Sequence, residues 1–171
     1  LAEAAPRATI SIDPNVRPLL VDLGVYRARL AHWCALADVL RLSEDDLELL
    51  LPDTPPEQAC DLWHAAGARL VVITRGGDGV LASLDGERVR LPAVPTDVVD
   101  TVGAGDSFTA GLLHHLGARG LLGGRLPGLR LDDVAEACLF ATRVAALTCS
   151  VPGPNPPWRH QLTPLTTAEH A

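Results

Sequence analysis

Several residue types and patterns are missing from this sequence of 171 residues. It contains no lysine and no methionine, so all of its 14 basic side chains are arginines. These arginines form no cluster that would neutralise a nucleic acid backbone, and the net charge is -7, so we expect no nucleic acid partner. No apolar run approaches the length that crosses a bilayer, and we therefore expect no membrane partner.

The cysteines form no recognisable framework. Cys34, Cys60, Cys138 and Cys149 lie far apart in the chain and include no Cys-x-x-Cys pair. Zinc sites and disulfide scaffolds are built from closer, repeated spacings. We therefore predict four small buried side chains and a reducing, cytoplasmic environment.

Strand patterns alternate with helix patterns along the chain. Hydrophobic residues make up 47% of the sequence, enough for the core of a single α/β domain over residues 1–171. The predicted strands are residues 9–13, 37–42, 70–73, 80–84 and 88–91. The predicted helices are residues 18–33, 43–51, 55–67 and 106–117, followed by a long helix that starts at Asp133. This order predicts a mainly parallel sheet flanked by helices, with a β-hairpin at Asp85-Gly86.

A first glycine-rich turn, TRGGDG at residues 74–79, follows the β-branched strand of residues 70–73. Ligands of α/β proteins bind at the carboxyl ends of strands, and glycines let the backbone approach such a ligand closely. An ordinary tight turn between two strands has the same composition. Taken alone, this turn favours the ordinary interpretation.

A second glycine-rich segment, DTVGAGDSFTAGLL, occupies residues 100–113. Gly103, Ala104 and Gly105 would leave unpaired N–H groups at a helix N-terminus, which creates a site for an anion. Asp106 would stand beside that anion, in a position to take a proton from a hydroxyl that attacks a phosphoryl group. Taken alone, the segment still favours Asp106 as a simple helix cap.

Four segments, in this order, resemble the ribokinase-like, or PfkB, carbohydrate kinase family. DTVGAGD resembles the family signature DTxGAGD, and VVITRGGDG at residues 71–79 resembles the nucleotide-binding turn. DPNVR at residues 13–17 and ADVLRLSEDDL at residues 37–47 resemble the fructokinase branch. Each motif alone is weak, but the ordered combination is specific and favours a catalytic Asp106 over a helix cap.

The resemblance implies a ribokinase-like fold and the ATP-dependent phosphorylation of a sugar hydroxyl, with fructose as the leading substrate. Asp106 is then the catalytic base, and Gly103, Ala104 and Gly105 form the anion hole for the transferring phosphoryl group. Ribose, 2-keto-3-deoxygluconate and nucleosides stay open as alternative substrates.

The resemblance also implies a nucleotide site. Its residues match the family's nucleotide-binding positions and are Thr74, Gly76, Gly79, Thr142 and Gly153. Arg75 and Asp78 fall between the matching positions, and we expect them to face solvent. Asn15 and Arg17 are expected near the phosphates or the substrate, the competing interpretation being a buried ion pair that orders their turn.

Two ion sites are implied as well. The Asn-x-x-Glu motif that helps to bind Mg²⁺ in the family is replaced here by Ser43 and Asp46. Asp46 therefore either assists Mg²⁺ or only caps a helix together with Ser43. Asp100 and the carbonyl of Val102 match two ligands of a monovalent cation such as K⁺.

The family fold also has an N-terminal half with a Gly-Gly signature, most of the sugar contacts and a β lid. None of these has a counterpart in this sequence, so we expect the C-terminal, nucleotide-binding and catalytic part of a longer kinase. A homodimer is an option for the full-length enzyme. The alternative is a truncated, non-catalytic nucleotide-binding remnant.

Overall fold

Five strands and the helices around them form three layers. The computed structural model describes residue 3 and residues 7–162. The remaining residues at both ends of the predicted domain lie outside the described residues. The strands are β1 (Ser11–Ile12), β2 (Val39–Ser43), β3 (Leu70–Thr74), β4 (Val80–Leu84) and β5 (Glu87–Leu91). The α-helices are α1 (Leu23–Leu36), α2 (Glu44–Leu50), α3 (Pro56–Ala65), α4 (Ala104–Ala118) and α5 (Leu131–Cys149).

The strands lie in the sheet in the order of the chain, β1-β2-β3-β4-β5. β1, β2 and β3 run parallel, whereas β4 and β5 each pair antiparallel with the preceding strand. The predicted hairpin is therefore confirmed, but parallel pairing makes up half of the sheet and not most of it. The TRGGDG turn is the reason, because it is too short for a crossover and so reverses the chain directly after β3.

The sheet separates two hydrophobic cores. Leu40 and Leu42 of β2 pack on one face against α1, α2 and α3. Val39 of the same strand packs on the other face, where α4 and α5 cover the sheet. Since successive side chains of a strand point to opposite faces, Arg41 belongs to the face of Val39. This α/β arrangement confirms the predicted fold class.

The helices begin one to five residues away from the predicted starts, and hydrogen bonds at α1 and α5 show why. α1 begins at Leu23, because the carboxylate of Asp22 accepts the N–H of Gly24 and caps the helix there. α5 begins at Leu131, and Asp133 lies inside its first turn, where it accepts the N–H of Arg130 at 3.1 Å. An acidic residue at the third helical position can be mistaken for a cap, because both positions bond the same free N–H groups.

The glycine-rich segment before α5, residues 120–129, is anchored more firmly than a plain surface loop. Leu126 and Leu129 are buried in the core beneath α4 and α5. The N–H of Arg125 donates to the buried carboxylate of Asp38 at 2.9 Å. Composition does not reveal these contacts, because their partners lie elsewhere in the chain.

The cysteines follow the prediction for three of the four positions. Cys34, Cys60 and Cys138 are buried, Cys149 is half-buried, and all four thiols are free. Burial raises the pKa of the Cys34 thiol to about 11 and that of Cys60 to about 12. Among the described residues, no helix combines the length and the apolar character needed to span a membrane.

Candidate active site

The N-terminus of α4 carries no side-chain cap. Gly103 occupies the capping position at φ 80°, in the left-handed region, which glycine adopts without strain. Asp106 is the third residue of the helix, it is exposed, and no side chain makes a capping hydrogen bond here. The helix-cap interpretation of Asp106 thus has no hydrogen bond to support it.

The free N–H groups of this helix end differ from the predicted set. The N–H of Ala104 donates to the carbonyl of Thr101 at 3.2 Å. Within the part of the chain that the structure describes, the N–H groups of Gly103, Gly105 and Asp106 have no acceptor, so two of the three predicted donors are free and Asp106 adds a third. A helix N-terminus with free N–H groups and a favourable dipole is suited to bind an anion.

Arg41 lies directly beneath this helix end. Its Nη1 donates to Oδ2 of Asp13 at 2.8 Å and its Nη2 donates to Oγ1 of Thr74 at 2.6 Å. A Cβ on Gly105 would lie 2.7 Å from Nη1, and the guanidinium carbon is 5.8 Å from the centre of the Phe108 ring. Arg41 therefore joins the ends of β1, β2 and β3 to α4. Its side chain is buried at this junction, since the residue is only 7% exposed.

Arg41 was not among the site residues predicted from the sequence. The signal was a charged residue within the otherwise apolar strand of residues 39–42. A buried charge must be paired to be tolerated, so an arginine inside a buried strand indicates a partner elsewhere in the chain.

A cavity of about 520 Å³ opens beside Arg41, within the size range of small-molecule sites. Its lining combines six residues of the predicted anion hole and nucleotide site: Thr74, Gly76, Gly79, Ala104, Gly105 and Thr142. Val94, Pro95, Val98 and Ala146 add apolar surface. Arg41 is the one charged side chain among the described residues that line it.

The TRGGDG turn uses its glycines for different reasons. Gly79 has φ 87°, and a Cβ there would lie 2.0 Å from the carbonyl oxygen of Leu91. Only glycine therefore fits at this position, where the end of β5 lies against the turn. A Cβ on Gly76 would meet nothing within 4 Å. Arg75 does not simply face solvent, because its Nε lies 2.8 Å from Oε1 of Glu44. This contact raises the pKa of Arg75.

The DPNVR turn lies outside the cavity lining. Asn15 is exposed with φ 45°, and its N–H donates to Oδ1 of Asp13 at 3.0 Å. Arg17 is exposed, and its Nη1 donates to the carbonyl of Val16 at 2.8 Å. An ion pair does order this turn, but it joins Asp13 to Arg41 and not to Arg17.

Asp46 is 6% exposed, and both of its oxygens accept backbone N–H groups. Its Oδ2 and the hydroxyl of Ser43 form a capping box at the start of α2. Its Oδ1 accepts the N–H of Val16 at 3.0 Å, which fastens the DPNVR turn to α2. Among the described residues, no three His, Cys, Asp or Glu side chains converge as a metal cluster.

Asp100 fastens the loop before α4 to the segment after α5. Its Oδ1 accepts the N–H of Val102 at 3.0 Å and its Oδ2 accepts the N–H of Gly153 at 2.9 Å. These two hydrogen bonds lower the pKa of Asp100. The next residue, Pro154, packs against Gly103, since a Cβ on Gly103 would lie 2.9 Å from the Cβ of Pro154. Gly153 therefore contacts Asp100 and lies outside the cavity lining.

The sequence profile of the pfkB family carbohydrate kinases matches residues 1–161. The chain belongs to this family. It is 39% identical to a fructokinase of Rhizobium leguminosarum bv. trifolii over 121 residues, which are 70% of this chain and 37% of the relative.

Solved structures of two kinases have the same fold. Aminoimidazole riboside kinase from Salmonella enterica, complexed with aminoimidazole riboside and an ATP analogue, aligns with a TM-score of 0.77 and 28% identity. The alignment covers 90% of this chain and 50% of that one. A fructokinase double mutant from Vibrio cholerae O395, bound to fructose, ADP and a potassium ion, has a TM-score of 0.72 and 25% identity, covering 85% and 46%. The chain thus spans about half the length of these two kinases, and the ribokinase-like fold is confirmed.

Proposed function

We propose that this chain binds ATP in the 520 Å³ cavity and transfers the terminal phosphoryl group to a sugar hydroxyl, with fructose as the favoured sugar. One observation carries the proposal. The uncapped N-terminus of α4 and the TRGGDG turn open onto the same cavity, and an exposed carboxylate, that of Asp106, stands on the same helix turn.

The chemistry of the cavity wall suits a nucleotide. Arg41 and the free N–H of Gly105 offer donors to phosphate oxygens on one part of the wall. Val94, Pro95 and Ala146 offer apolar surface to a flat base. The hydroxyls of Thr74 and Thr142 also line the cavity and supply polar contacts. A mostly apolar cavity with a few placed polar groups is typical of cofactor and substrate sites.

In the proposed reaction, the sugar hydroxyl oxygen bonds to the terminal phosphorus while the bond from that phosphorus to the bridging oxygen breaks. The hydroxyl proton passes to Asp106, and ADP leaves. The carboxylate of Asp106 makes no hydrogen bond with the described residues, so its oxygens are free to accept the proton. It accepts the proton as the new bond forms, and proximity provides much of the acceleration. The N–H groups of Gly105 and Asp106 stabilise the charge on the transferring group.

The proposal includes two ions. The described residues form no preformed Mg²⁺ site, since the two oxygens of Asp46 already accept the N–H groups of Val16 and Ser43. Mg²⁺ commonly binds through substrate phosphates and water, with few protein ligands, and would arrive here with the nucleotide. Asp100 is a better match for K⁺, because its carboxylate oxygens retain lone pairs after accepting two N–H groups. Replacing K⁺ by choline would then lower turnover.

The deciding experiment is a phosphorylation assay on the protein that carries this chain. ATP is supplied with fructose, ribose, 2-keto-3-deoxygluconate or a nucleoside, and the phosphorylated product is measured by mass. We expect transfer, fastest with fructose, in a reducing buffer that resembles the cytoplasm. Transfer to another sugar alone would revise the substrate. Binding of ATP without transfer to any of these acceptors would favour a nucleotide-binding module over an enzyme.

A further inference from the structure

We propose that Arg41 is a phosphate-binding residue that holds the terminal phosphoryl group of a nucleoside triphosphate against the N-terminus of α4. This inference rests on the proposed function, because it assigns a ligand to the same cavity. It assigns one particular phosphate, the terminal one, to a side chain of β2 that lies beside the backbone N–H groups of α4. It also predicts that the chain distinguishes ATP from ADP.

The first argument is the unused hydrogen-bonding capacity of Arg41. A guanidinium has five N–H donors, and Asp13 and Thr74 each accept one of them. The other donors have no acceptor among the described residues, and Nε is fully buried in this unpaired condition. Buried donors without partners are costly, so such a cluster of donors at a cavity wall indicates an absent acceptor.

The second argument is position. Nη1 and Nη2 would lie 2.7 and 3.1 Å from a Cβ on Gly105, so the guanidinium adjoins the free N–H groups of α4. A cation is normally unfavourable at the positive end of a helix dipole. Two positive groups side by side are stabilised when an anion with several negative oxygens binds between them.

The third argument is the charge balance at the point of transfer. A phosphoryl group next to the carboxylate of Asp106 would be repelled unless a cation offsets that charge. Of the described residues that line the cavity, Arg41 alone carries a charge. Its planar fork suits phosphate oxygens better than a flexible lysine ammonium does.

The test compares Arg41→Met, Arg41→Lys and Asp13→Asn by calorimetric titration with ATP and ADP. Arg41→Met is expected to weaken ATP binding roughly 10- to 100-fold, since a charge-assisted hydrogen bond is lost, and to weaken ADP binding less. Arg41→Lys restores part of the preference for ATP. Asp13→Asn removes the ion pair but keeps the cation, so the ratio of ATP to ADP affinity stays near that of the wild type.

A purely structural role for Arg41 gives a different pattern. In that case Arg41→Met and Asp13→Asn lower the melting temperature alike, and neither changes the affinity ratio, which would overturn the inference. The double variant Arg41→Met/Asp13→Asn guards against misfolding, because it removes both charges and leaves neither partner unpaired. The inference requires that this folded double variant also loses the preference for ATP.

Inorganic tripolyphosphate separates this inference from the proposed function. It carries the phosphates without the base or the ribose. If the wild type binds tripolyphosphate and Arg41→Met does not, Arg41 binds phosphate even if no sugar is ever phosphorylated. If the wild type phosphorylates a sugar while Arg41→Met keeps the wild-type affinities for tripolyphosphate and ATP, the proposed function stands and the role of Arg41 is wrong.

Discussion

Gly105 and the guanidinium of Arg41 are in contact, and a Cβ on Gly105 would lie 2.7 Å from Nη1. The guanidinium is held from the other side by Asp13 and Thr74, so it cannot retreat without breaking a hydrogen bond. The second glycine of the GAGD segment is therefore required by a side chain of β2. Close approach to a ligand is an additional reason, not the first one.

The Gly105→Ala variant tests this contact. In a free helix, alanine is preferred over glycine by about 1 kcal/mol, so a gain in stability would be expected if Arg41 were absent. We expect a loss of about 1–3 kcal/mol, typical of an overpacked site, measured by denaturant unfolding. Gly77→Ala is the matched control, because a Cβ there meets nothing within 4 Å, and its free energy of unfolding should not fall. A stabilised Gly105→Ala protein would contradict the contact.

The Asp106→Asn variant tests the catalytic base. The amide cannot accept the proton, so we expect turnover to fall roughly 100- to 10,000-fold, while the affinity for ATP, measured by calorimetry, stays within a few-fold of the wild type. Asp132→Asn is the control, since Asp132 is likewise an exposed carboxylate in the first turn of a helix. Turnover by Asp106→Asn that equals that of the control would contradict the assignment.

The packing of α4 against α5 depends on Gly111. A Cβ on this residue would lie 3.0 Å from Cα of Ala141 and 3.1 Å from Cγ2 of Val144. Gly111→Ala should therefore separate the helices and lower the free energy of unfolding by about 1–3 kcal/mol. Gly117→Ala, in the same helix, meets only the end of the Leu122 side chain at 3.3 Å, which can move. A destabilisation of Gly117→Ala as large as that of Gly111→Ala would show that close packing is not the cause.

The Asp100 carboxylate makes stability depend on pH in a defined direction. Its pKa is lowered from 3.8 by the N–H groups of Val102 and Gly153, so the folded state binds its proton less tightly than the unfolded state. The resulting stabilisation is present above pH 3.8 and is lost as pH falls through the lower, folded-state value. Asp100→Asn should therefore be less stable than the wild type at pH 7, and the difference should shrink in acid. Melting curves of both proteins, recorded from pH 7 into acid, check the sign. A stability difference between them that grows in acid would contradict it.

Cys149 reports on occupancy of the cavity. It is half-buried and lines the cavity, and burial together with the Asp100 carboxylate raises its pKa, whereas Cys138 is fully buried and burial raises its pKa to about 12. Mild alkylation at alkaline pH, followed by peptide mass analysis, should modify Cys149 first. ATP at ten times its Kd should slow that modification about tenfold, since only the free protein reacts. Unchanged labelling of Cys149 in saturating ATP would place the nucleotide elsewhere.

The local patterns of this sequence determined much of the fold. Alternating apolar strands and helices set the element order, and Asp85-Gly86 specified the hairpin between β4 and β5. These features depend on neighbouring residues, so they can be predicted from spacing alone. The GAGD and TRGGDG segments were likewise identified from their composition, and both contribute to the lining of one cavity.

Only the tertiary structure decided which side chains support that cavity. Arg41 meets Asp13 and Thr74 across 28 and 33 residues of sequence, and Asp46 holds Val16 across 30. No local pattern encodes such pairs, because they depend on the order of strands in the sheet. Sequence spacing therefore located the glycine turns and the carboxylate of Asp106, whereas strand pairing placed a buried cation beneath them, where a charge is tolerated only with partners from other strands.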